Sequence, residues 1–132
     1  MKFGKILTWH LLVGVPLAAF PHSDVQLAYD PAGFGWFPAH FLFGLGCGLP
    51  VLVPAYASQA GVFALLRRAG AGLLIQVVAG AAVQAGIVGA WAATVGVQPS
   101  LGGNFPMTPI MVGAAGAVGG LVAALNARLL PR

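Results

Sequence analysis

The chain carries three histidines, two carboxylates and one cysteine, and these bound the chemistry it can do. His22, Asp24, Asp30 and His40 fall within a 19-residue stretch, and imidazole with carboxylate is a ligand set that zinc or copper accepts. Spacing alone does not supply coordination geometry, so no metal is assigned and the four stay as candidates in a solvated loop. His10 stands apart beside Trp9. A low-spin haem needs two axial ligands at one depth, whereas His10 and His40 should differ in depth by roughly 15 to 20 Å of helix rise. Only two copies pairing His10 with His10 could hold such a group; a packed imidazole is the simpler expectation.

Nothing else resembles a catalytic set. Ser23, Ser58 and Ser100 lie in or beside expected loops without a base to activate them. No Asp, Glu, Lys or Arg falls well inside an apolar run, and ionisable groups in such runs are the usual marks of proton relays, coupled transport and membrane catalysis. The chain is therefore read as not an enzyme, and the sequence requires no cofactor. The remaining polar groups are Gln76, Gln84, Thr108 and Asn126. They would tie helices together or, alternatively, line a pore or ligand path. Gly46, Pro50 and Pro54 recur at spacing four. Each proline removes a backbone hydrogen bond, so a kink near Gly46 to Pro50 is expected, and the freed carbonyls are a second candidate path lining.

These residues sit in a chain that is 59% hydrophobic and 6% charged, against roughly 25% charged in soluble domains. That composition is an integral membrane protein's. The net charge of +4 comes from basic residues in ones and twos, with no run to track phosphates, which sets nucleic acid aside. Cys47 is alone in an apolar run, excluding an intrachain disulfide and any CxxC.

About 20 apolar residues span a bilayer. Four segments qualify, roughly 5–21, 38–58, 70–96 and 106–127, with outer loops 22–37 and 97–105 and an inner loop 59–69. The fold expected is an all-α, single transmembrane domain over residues 1–132, running up-down-up-down. The first segment has the basic start and apolar middle of a secretory signal, but LAAFPHS offers a poor small-x-small exit, so it is expected to be retained as a helix. Lys2, Lys5, Arg67, Arg68, Arg128 and Arg132 fall on one side and Asp24 and Asp30 on the other. Basic residues favour cytoplasmic loops, so both termini are expected inside.

FGWFP at 34–38 and NFP at 104–106 mark where the second and fourth helices begin on the outer side. Aromatics suit the headgroup level and proline suits a first helical turn. The match of Gly35, Phe37 and Pro38 to Gly103, Phe105 and Pro106 also hints at a duplicated helical hairpin.

Small residues form rows on the last two segments: Ala82, Gly86, Ala90 and Thr94 beside Ala81, Ala85, Gly89 and Ala93, and Gly116, Gly120 and Ala124 beside Ala115, Gly119, Ala123 and Ala127. Such rows allow close helix approach in lipid. One serves the internal contact; the surplus suggests a further partner. The function expected is a small non-catalytic subunit of a larger membrane complex, of respiratory, photosynthetic or secretion type, in a bacterial cytoplasmic membrane. Its partner contacts would be Phe34, Trp36 and Phe37 together with Gly86, Ala90, Gly116 and Gly120. The alternatives are a homo-oligomeric channel using Pro50, Pro54, Gln76 and Gln84, or a haem or quinone anchor at His10.

Overall fold

The computed structural model describes residues 2–29, 37–95 and 107–131. The described residues are helical, with no strand: α1 (Phe3–Tyr29), α2 (Phe37–Arg68), α3 (Leu73–Val95) and α4 (Met107–Leu129). Each contains a stretch long and apolar enough to cross a membrane. In hydrocarbon a helix satisfies its own backbone polar groups, which is why the chain stays helical through Pro16 and Pro21 in α1 and Pro50 and Pro54 in α2.

Two boundaries differ from the sequence expectation. Helix α1 continues to Tyr29, through residues 22–29 expected to be loop. Helix α2 runs to Arg68, so the expected inner loop 59–69 shrinks to the turn 69–72, and the apolar stretch of α2 is Gly48–Arg68 rather than 38–58. Ser58 and Gln59 look like the start of a loop, yet GVFALLRR follows them without a proline and is rich in good helix formers.

Gly70 stops α2. It has φ +70°, its N–H donates to the Arg67 carbonyl at 3.1 Å, and the Ala71 N–H donates to the Leu66 carbonyl at 2.9 Å. This is a Schellman cap, which needs a left-handed residue just past the helix.

The helices pack as two close hairpins, α1 with α2 and α3 with α4, joined by lighter α2–α3 and α1–α4 contacts. One core cluster takes Val15, Val51, Leu52, Tyr56, Val88, Met111 and Val122 from all four helices. A second, made of Ile6, Ala60, Phe63 and Leu130, closes the end where the termini lie. At that end Arg67 Nη1 donates to the Leu130 carbonyl at 2.9 Å, joining the last turns of α2 and α4. Lys2, Lys5, Arg67, Arg68 and Arg128 are gathered there, since the start of α1, the α2–α3 turn and the end of α4 all meet at this end.

Gly14 faces the Tyr56 ring, and Phe20 meets Phe41 with centroids 5.1 Å apart. From residue 14 to 20 α1 rises about 9 Å, while from 56 to 41 α2 covers about 22 Å. Pro16, Pro50 and Pro54 all lie in the stretch between these two contacts.

Gly70→Ala should destabilise the chain by about 1 kcal/mol, the cost of a Cβ in left-handed backbone. Gly72→Ala, next to the same turn but without positive φ, is the control. Equal unfolding midpoints for the two variants in detergent would refute this account of the turn.

Candidate functional site

Along α3 one row is buried at spacing four: Gln76, Gly80, Gln84, Val88 and Ala92. It faces the centre of the bundle, where polar side chains meet backbone. Gln84 Nε2 donates to Gln59 Oε1 at 2.9 Å and to the Ala55 carbonyl at 3.1 Å, and Gln59 Nε2 donates to the Gly119 carbonyl at 2.7 Å. Helices α2, α3 and α4 are thus tied at one level. Gln59 is 1% exposed and is the member of this tie that sequence reading missed, having placed it in a loop. Its signal was present, in a glutamine inside an uninterrupted helix-forming run.

The tie passes over a close helix crossing. A Cβ on Gly119 would lie 2.7 Å from the Gly80 carbonyl oxygen, and one on Gly80 would lie 2.9 Å from the Gly119 carbonyl oxygen. Neither contact is tolerable, so both positions demand glycine. Beside this crossing the row Ala81, Ala85 and Gly89 faces α4: Cβ atoms on Gly116 and Gly120 would meet Ala85 and Ala81 at 3.6 Å. Gly116 and Gly120, expected to reach a partner, are therefore occupied by α3, because the α3–α4 contact consumes this face. Gly86 and Ala90 are exposed along with Ala82 and Thr94, and a Cβ on Gly86 meets nothing within 4 Å.

His10 is fully buried. Its Nδ1 lies 2.9 Å from the Ile6 carbonyl, a position for an N–H donor, and its ring packs edge-on against Phe63 at 4.9 Å. Burial inside one chain removes it as a ligand for a group shared between two copies. Its Nε2 and both amide atoms of Asn126 have no hydrogen-bond partner among the described residues. Gln76 Nε2 donates to the Ala71 carbonyl at 2.8 Å, and its Oε1 is likewise without a partner.

Pro50 and Pro54 are exposed on the outer face of α2, beside Gly46. Phe34, Trp36 and Asp30 lie outside the described residues, as do Gly35, Gly103, Phe105 and Pro106 of the hinted repeat. His22 and Asp24 fall on α1, and Phe37 and His40 on α2, with their side chains outside the description. Among the described residues no group of three metal-ligating side chains forms.

Gln59→Leu and Gln84→Leu should each cost about 1 kcal/mol, and the double variant less than the sum, since each single change strands its partner's amide. Strict additivity in a double-mutant cycle of detergent unfolding would show that the tie does not couple. Set against known protein families, curated proteins and solved structures, the chain matches none of them.

Proposed function

We propose that this chain is a small non-catalytic subunit of a larger membrane protein complex. The observation that carries the reading is the outward row Ala82, Gly86, Ala90 and Thr94 on α3, a smooth helix face left free after the parallel row has packed against α4. In lipid, helix association rests on close packing rather than apolar burial, and a stripe of small side chains lets a neighbouring helix approach. The exposed prolines of α2 support the same reading. Pro50 and Pro54 have no N–H to give the carbonyls of Gly46 and Pro50, and these positions face away from the bundle's interior, where a partner rather than a conduction path would meet them.

Gln84 also favours packing over conduction. Both of its amide donor contacts go to neighbouring protein groups, and the surrounding interior is filled by Tyr56, Val88 and Val122. Phe34, Trp36 and Phe37 remain the proposed aromatic anchor of the outer side, since aromatics dominate binding hot spots. The basic end is assigned to the cytoplasm of a bacterial inner membrane by the preference of Lys and Arg for that side.

Gentle extraction of the tagged chain followed by native mass measurement should yield a stoichiometric assembly with other membrane proteins. Gly86→Ile should release the chain from that assembly, whereas Leu12→Ile, on an exposed position of α1, should not. A homo-oligomer free of other proteins would overturn the subunit reading. Reporter fusions at the two termini should both report the cytoplasm; an external signal from either would reverse the sidedness.

A further inference from the structure

Helix α2 runs through Ser58, which the sequence places beside a loop. Ser58 stands ten residues from either end of the apolar stretch Gly48–Arg68, so about 15 Å of helix rise separates it from each boundary. The hydrocarbon core of a bilayer is about 30 Å thick, which puts this hydroxyl near its centre. The side chain is exposed, on the surface of α2 turned away from the bundle. Thr8 and Thr94 donate back to carbonyls of their own helices, at Gly4 and Trp91, whereas the Ser58 hydroxyl has no hydrogen-bond partner among the described residues.

Ser58 ends a row at spacing four, since Gly46, Pro50, Pro54 and Ser58 are all exposed. Pro54 gives no N–H to the Pro50 carbonyl, and Pro50 gives none to that of Gly46. The Pro50 carbonyl lies inside the apolar stretch, and both residues of its missing bond are exposed. Lipid chains at that depth hold neither donors nor acceptors, and polar groups left unpaired in hydrocarbon are costly. The row is therefore suited to a protein partner. A second copy of this chain does not complete it. Two copies sit the same way up in the membrane, so a two-fold pairing sets like against like. One hydroxyl meets its twin, but the two Pro50 carbonyls face each other without a donor.

We propose that this row of α2 docks a transmembrane helix of another subunit that presents hydroxyl or carboxamide side chains. One such group lies level with Ser58, and a donor two turns away, about 12 Å along the axis, meets the Pro50 carbonyl. Gly46 has no side chain, and a Cβ there would meet nothing within 4 Å, so the neighbouring helix can come close at the outer end. The inference rests on the subunit reading, and it gives that partner a second contact face and a chemistry that the small-residue row of α3 does not require.

The test extracts the tagged chain gently with its assembly and measures how firmly the other subunits are retained as detergent is raised. Ser58→Ala and Pro54→Ala should each weaken retention about fivefold. Pro54→Ala restores the N–H that the Pro50 carbonyl lacks, so it occupies the acceptor while favouring the helix. Ser58→Thr, which keeps a hydroxyl, should retain the partner, and a role in packing alone would leave Ser58→Ala neutral. A readout on the unaltered chain covers the case in which a variant does not fold. Pro-Val occurs once in the sequence, at Pro50 and Val51, so proline labelled with a heavy carbonyl carbon and valine labelled with heavy nitrogen mark that peptide alone. The Pro50 carbonyl resonance should move downfield from the isolated chain to the assembly, as it does when a carbonyl accepts a hydrogen bond. An unmoved resonance, or full retention by both variants, overturns the docking row; release by Gly86→Ile in that case leaves the subunit reading standing. Loss of a homodimer rather than of other subunits in Ser58→Ala would assign the row to a second copy and overturn the inference. An assembly made of this chain alone overturns both readings.

Discussion

Apolar burial does little to hold helices together in lipid, so the association of this bundle falls to packing and to a few polar contacts. The Gln59–Gln84 pair joins the two hairpins by hydrogen bonds in the bundle interior, apart from the Arg67–Leu130 bond at the basic end. Gln84 reaches α2 from α3, and Gln59 reaches the α4 carbonyl of Gly119 from α2. These contacts sit where Gly80 and Gly119 bring two backbones together. Closeness and polarity depend on each other here: a side chain at either glycine would displace the amides, and without the amides the crossing would be held by van der Waals contact alone.

How far this was legible from the residues differs by element. Four apolar runs separated by polar or glycine-rich stretches make four helices nearly unavoidable, and α3 and α4 fall within a few residues of the runs read from sequence. The first two helices were harder. Hydropathy dips at Ser58 and Gln59 and at His22 to Asp24, and a dip reads as the end of a span. The backbone had no reason to stop at Gln59, whose amide finds partners inside the bundle, and α1 likewise runs on past Asp24 to Tyr29.

The interior was only partly legible. Gln76 and Gln84 are conspicuous in an apolar run, and a separation of two i+4 steps places them on one face, but Gly80 between them belongs to neither small-residue row that the sequence suggests. Which of several smooth faces becomes the internal one depends on the register of α3 against α4, and composition does not encode register. The same uncertainty made Gly116 and Gly120 look free when α3 covers them. His10 was hard for the opposite reason, since a lone imidazole near a tryptophan gives no sign that Phe63, more than fifty positions away, will enclose it. The basic cluster was visible as charge, whereas the stranded acceptor of Gln76 appears only once the four helix ends converge.

The Gly80–Gly119 crossing also bears on how this protein can change over generations. Every amino acid other than glycine adds at least a Cβ, so each coding change at either codon inserts an atom into occupied space. No single replacement is mild. The crossing thus confines two codons to glycine, whereas a change on the outward surface of α3, as at Gly86, meets no such obstacle.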